Sequence, residues 1–154
     1  MNEHLKLDVG SSLAFKLHQA TILVDRSADR YLRTHHNVSY SLLVVLLMVG
    51  VLEGPSQREI ADHLDVSRAS ITQRVGDLVR RGLVEVVPSE QDARAVRVWL
   101  TPEGGALLTD AWQGLETSED GIDRGVDVVA LERELDLLIA NARAQLAREP
   151  GAPA

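Results

Sequence analysis

Between residues 67 and 97 every basic residue is an arginine: Arg68, Arg74, Arg80, Arg81, Arg94 and Arg97, set against four carboxylates. The planar guanidinium fork suits phosphate oxygens and guanine edges, where a lysine would act only as a point charge. The whole chain carries a net charge of −7, which taken alone argues against a polyanionic partner. The charge is unevenly divided, however, since residues 98–154 hold four basic and eleven acidic side chains. The arginine-bearing stretch therefore stands out as the cationic part. Within it, Gln73 can offer a donor and an acceptor to N6 and N7 of adenine, and the methyl of Ala69 can touch thymine. Ser67, Arg68, Thr72 and Arg74 are residue types that hold phosphates, and the plain alternative for all of them is a solvated helix surface.

Other chemistries find less support. Cysteine is absent, which removes disulfides, thiolate metal sites, thiol catalysis and a cysteine redox switch together. The histidines His4, His18, His35, His36 and His63 include no pair at the i, i+4 spacing that puts two imidazoles on one helical face. No metal ligands and no cofactor are expected, and surface or capping roles are the default for these histidines. There is no glycine-flanked nucleophile serine, phosphate-binding loop, dinucleotide fingerprint or His-Glu-x-x-His run, so no catalytic residues are expected and the chain reads as a non-enzyme.

The elements that must position the arginines follow from period and punctuation. Leu13, Leu17, Ala20, Val24, Ala28 and Tyr31 recur at three and four, one apolar stripe on a helix over 11–34. The apolar run 42–52 is shorter than the roughly 18 residues of a membrane span and reads as a buried core helix opened near Ser39. Gly54 and Pro55 stop it, and Ser56-Gln57-Arg58-Glu59 is a capping box that starts a third helix over 57–64. Ser67 caps a fourth, whose expected inward face is Ile71, Val75, Leu78 and Val79, until Gly82 ends it. That face turns Ala69, Ser70, Gln73, Gly76, Asp77 and Arg80 the other way. The β-branched stretches 83–87 and 95–100 predict a hairpin with a polar tip, and Thr101-Pro102-Glu103 opens a fifth helix. The segment 117–125 interrupts it before a last helix bearing Leu131, Leu135, Leu138, Ala142 and Leu146, and the tail 150–154 is expected to be disordered.

Helix, helix-turn-helix, hairpin, helix is a winged helix-turn-helix, and the residues resemble the multiple-antibiotic-resistance regulator (MarR) family over nearly the whole length. The sharpest likeness is Arg81-Gly82-Leu83-Val84-Glu85 followed by Asp92-Ala93-Arg94-Ala95-Val96-Arg97-Val98-Trp99-Leu100-Thr101. Ser67-Arg68-Ala69-Ser70-Ile71-Thr72 is similar to the start of the family's recognition helix, and Val38-Ser39 to the pair that opens its second helix. The resemblance implies a homodimeric transcription regulator, usually a repressor, released by a small organic ligand bound where the dimerisation helices join the DNA-binding lobe. Two positions depart from the pattern: Gln73 stands where the family commonly has arginine, and Gly76 where it has the aspartate that fixes the wing arginine.

The expected fold is thus mainly α with a small β-hairpin wing. Residues 1–36 would form an N-terminal dimerisation helix, 37–101 the DNA-binding lobe and 102–149 the helices that complete the dimerisation lobe, all within one structural domain. Ala69, Ser70 and Gln73 would read bases, while Ser67, Arg68, Thr72 and Arg74 would hold phosphates of a pseudo-palindromic double-stranded operator. Arg94, braced by Asp92, would enter an A·T-rich minor groove. Leu13, Leu17, Val24, Leu131, Leu135 and Leu138 would cover one another in a homodimer. His35, His36 and Trp112 are candidate walls of an effector pocket. The opening MNEHLKLD lacks the order of a secretory signal, so a cytoplasmic protein without a membrane partner is expected. Two alternatives stay open: a winged-helix module that binds protein without direct DNA contact, and a metal-responsive regulator.

Overall fold

A computed structural model of the chain describes residues 9–89, 96–118 and 121–148. A short 3-10 turn at Val9–Ser11 leads into α1 (Leu13–His35), α2 (Tyr40–Leu52), α3 (Gln57–Leu64) and α4 (Arg68–Arg80). Strands β1 (Val84–Pro88) and β2 (Val96–Leu100), then α5 (Pro102–Thr117) and α6 (Val128–Leu146), complete the order. The chain falls into two compact units that divide after Ser118, so α6 stands in the second. Among the described residues no single helix is long and apolar enough to cross a membrane.

Each helix starts where a side-chain oxygen satisfies an orphan backbone N–H. Ser39, Ser56, Ser67 and Thr101 cap α2 to α5, and both halves of the capping box form, with Glu59 accepting from the Ser56 N–H at 2.7 Å. The end of α4 is equally determined. Gly82, at φ 68, lets its own N–H reach the Val79 carbonyl and the Leu83 N–H reach that of Leu78, a Schellman closure that feeds the chain directly into β1.

Strands β1 and β2 pair antiparallel with Val84 opposite Leu100 and Val86 opposite Val98. Val98 also donates to the Pro55 carbonyl at 2.9 Å, so the α2–α3 loop lies along β2 like a third strand. The core of the lobe gathers Val45, Leu46, Val49, Ile60, Ile71, Val75, Leu78, Leu83, Val84 and Val98. A second cluster, Leu32, Val38, Leu43 and Ala111, joins α1, α2 and α5. Helix α2 contributes to both, which explains why its sequence is apolar on every side.

One expected core residue lies outside. Val79 is 43% exposed, because about 100° of rotation per residue carries it off the line that Ile71, Val75 and Leu78 share. The wing tip, with Asp92 and Arg94, and the tail 150–154 lie outside the described residues.

Candidate nucleic-acid interface

Helix α4 is anchored on one side by Ile71, Val75 and Leu78, all buried. The opposite side consequently carries Ala69, Gln73 and Arg80 into solvent, with Ser70, Gly76 and Asp77 half-buried along its edges. Ala69 and Gly76 keep that surface low, as a helix approaching base edges requires. Ser67 at the N-cap spends its hydroxyl on the Ser70 N–H at 3.2 Å, leaving the other first-turn N–H groups pointing outward. Thr72 sits on the flank that faces α3 and donates to Gln57 Oε1 at 2.8 Å. The hydroxyl keeps its acceptor lone pairs, but its position is now set by Gln57, a residue with no sequence signal beyond being the first of α3.

The arginines do not act as one set. Arg80 pairs with Asp77 one turn back, and Arg81 donates to the Asn37 carbonyl, tying the end of α4 to the α1–α2 turn. Arg97 reaches from β2 to Glu59 at 2.8 Å and to the Gly54 carbonyl at 3.4 Å. Glu59 is held below the usual carboxylate range by the Ser56 backbone N–H, with the Ser56 hydroxyl and Arg97 adding to the effect. Arg81 and Arg97 are thus ties between elements of the lobe, while Arg80 pairs within α4 and stays exposed. Among the described residues, Arg68, exposed, and Arg74, half-buried, make no hydrogen bond or ion pair. Sequence spacing shows six arginines in one stretch, but it does not show which have acidic or carbonyl partners brought from 38 to 44 residues away.

Elsewhere in the first unit, the rings of Tyr31, His35 and His36 cluster at the end of α1, with Tyr31 and His35 centroids 4.5 Å apart. The His36 side chain is 11% exposed, with Nδ1 3.5 Å from Asp110 of α5. Its Nε2 is buried with no hydrogen-bond partner among the described residues. Trp112, on α5, is exposed, and among the described residues no group of three or more His, Cys, Asp or Glu could hold a metal ion. Of the residues assigned to self-association, Leu13 and Val24 on α1 are exposed and Leu17 is half-buried. On α6, Leu131 and Leu138 are exposed and Leu135 is half-buried.

A buried-core trihelical lobe, a recognition-type helix with one polar side and a two-stranded hairpin against its end define a winged helix-turn-helix protein. Residues 34–95 match the family model described as MarR family. The transcriptional activatory protein BadR of Rhodopseudomonas palustris is 30% identical over 101 residues, 64% of this chain and 58% of BadR, so the match spans under two thirds of that relative. Among solved structures, the apo form of MarR from E. coli superposes with a TM-score of 0.76 at 24% identity, covering 82% of this chain and 96% of MarR. The repressor CouR, known from Rhodococcus jostii RHA1, superposes when bound to a 23-mer DNA duplex with a TM-score of 0.77 at 24% identity, covering 87% of this chain and 94% of CouR. Over residues 34–95 the chain is similar to the MarR family, and its likeness to the solved MarR and CouR structures is one of fold.

Proposed function

We propose that the protein is a homodimeric, sequence-specific DNA-binding regulator of the cytoplasm, acting as a repressor that a small, partly apolar organic molecule releases. The observation that carries this reading is the division of α4: a buried side anchored in the lobe core, and an outward side of small residues around Gln73 flanked by Arg68 and Arg74. In this reading Ala69, Ser70 and Gln73 meet base edges in the major groove, and Ser67, Arg68, Thr72 and Arg74 meet phosphates. Arg94, with Asp92, enters the adjacent minor groove. Two copies related by a two-fold axis place their α4 helices on half-sites about 10 bp apart. The sign of regulation is supported only by resemblance: CouR carries the name of a repressor, BadR of an activator.

The effector reading is supported by the Tyr31, His35 and His36 ring cluster at the α1–α5 junction, where the His36 Nε2 offers a buried polar atom. With no cysteine, an oxidant has only Met1 and Met48 as sulfur targets, so an organic ligand suits the composition better than peroxide. A ligand releases DNA only through differential affinity for two dimer states.

The test separates base reading from phosphate holding. After selection of a preferred duplex from random DNA, Gln73→Ala should cost about 1 to 3 kcal/mol and relax preference at one base pair. Arg74→Ala should weaken all sequences alike and flatten the salt dependence. Equal loss of specificity from both substitutions would overturn the division. Failure of the intact protein to bind any duplex would favour a protein-docking winged helix instead.

A further inference from the structure

A cavity of about 610 Å³ lies between the α2–α3 loop, α3 and the outer side of the hairpin, a volume in the range of small-molecule sites. It shares no residue with the Tyr31–His36 cluster or with the outward side of α4. Its walls include Glu53, Pro55, Glu59, Pro88, Arg97 and Trp99. Strand alternation explains two of them: Val98 points into the core, so Arg97 and Trp99 point to the other side. The indole lies so close over the loop backbone that a Cβ on Gly54 would come within 2.2 Å of it, yet Trp99 remains 42% exposed at the cavity.

The charge of the walls is the informative part. Arg97 is matched by Glu59 at 2.8 Å, so its cation is already answered. Glu53 makes no hydrogen bond or ion pair among the described residues, and Glu85 stands directly opposite Trp99 across the hairpin. The remaining ionisable wall is His63, whose Nδ1 lies 2.8 Å from the Glu59 carbonyl, so the two wall carboxylates outnumber the one arginine and set this side of the lobe apart from a DNA-facing one. Glu53 itself closes α2 at φ 50, a left-handed position where the turn alone would favour glycine. An accessible indole beside an unanswered carboxylate is the pairing that recognises organic cations. An anion would have to displace Glu59 from Arg97, and a neutral ring would gain only the stacking.

We propose that this cavity binds a flat aromatic cation, stacked on Trp99 and held by the Glu53 carboxylate. Three probes of one ring system isolate the charge: 1-methylquinolinium, neutral 2-methylquinoline and anionic quinaldate, titrated at pH 8 by calorimetry and by Trp99 emission in a Trp112→Phe background. The cation should bind saturably, quench Trp99, and do so at least threefold more tightly than 2-methylquinoline, with quinaldate weakest. Glu53→Gln should weaken the cation about three- to tenfold and leave 2-methylquinoline within about twofold. The proposal is overturned if no probe binds, if quinaldate matches the cation, if binding leaves Trp99 emission unchanged, or if Glu53→Gln leaves the affinity for the cation unchanged. No DNA is present in this titration, so its outcome is independent of whether α4 binds a duplex.

Discussion

Helices α4 and α6 are both amphipathic, both capped by a side-chain oxygen and both rich in charge, yet they meet different fates within one chain. Helix α4 buries Ile71, Val75 and Leu78 completely or nearly so, while α6 buries no residue and leaves Val129 78% and Leu146 71% exposed. An apolar stripe stabilises a helix only when something covers it, since isolated helices of this length are marginal in water. The wing-bearing lobe supplies its own cover. The C-terminal unit does not, and Leu13, Leu23 and Val24 of α1 are left in the same condition, although Leu32 near the end of that helix is buried. The contrast teaches that the lobe covers its own stripe, whereas those of α1 and α6 stay largely exposed in the single chain, as the proposed homodimer requires.

The comparison breaks most sharply at the core. Leu78→Ala removes a fully buried side chain between α4 and the hairpin and should cost about 2 to 5 kcal/mol, read from urea unfolding. The paired change Leu131→Asp with Leu138→Asp should leave the lobe folded by near-ultraviolet circular dichroism and convert a dimer to monomers by sedimentation. A double variant that stays dimeric would mean that α6 is not the associating surface.

How far the sequence reveals this arrangement depends on range. Signals read within one element match the structure closely: the capping box of Ser56 and Glu59, the Ser67 cap, Gly82 at the end of α4 and the Thr101-Pro102 start of α5. Each depends on side chains within four residues of the backbone they satisfy. Val79 shows where a local pattern is stretched too far, because an apolar residue next to Leu78 looks like core until its angular position is worked out. The candidate interface is legible in part. Periodicity alone puts Gln73 outward, but the ties of Arg81 to Asn37, Arg97 to Glu59 and Thr72 to Gln57 join elements brought together only by the fold. The cavity beside Trp99 has no sequence signature at all, since its walls come from a loop, a helix and a hairpin.

A smaller effect sharpens the comparison from the α4 side. Gly76 sits in a helix interior, where glycine is less favourable than alanine by about 0.5 to 1 kcal/mol. A Cβ there would meet only the Arg80 guanidinium at 3.5 Å, ordinary contact with the end of a flexible side chain. Gly76→Ala should therefore raise the free energy of unfolding by that amount, read from urea denaturation. If Gly76 keeps the outward surface low for a duplex, the same substitution should also weaken DNA binding, separating stability from function at one residue.

The smallest expected effect concerns how α1 is fastened to the lobe. Asp29 accepts from Arg33 at 2.6 Å and from the Tyr40 backbone N–H at 2.9 Å, so one carboxylate joins α1 to the first residue of α2. The Arg33 hydrogen bond and then the Tyr40 N–H hold its carboxyl below the ordinary aspartate value of 3.8. A carboxyl with a lowered folded-state pKa binds fewer protons folded than unfolded, so its contribution is present above the unfolded value. It is lost as pH falls through the folded one. Because the pair is partly exposed, the contribution is of the size of surface ion pairs, about 0.2 to 1 kcal/mol. Asp29→Asn should lower the urea midpoint slightly at pH 7 and pH 5, and the gap from wild type should close as pH drops below about 3.8. A gap that persists undiminished at the acid end would assign the tie to shape and amide hydrogen bonding, leaving α1 fastened without help from charge.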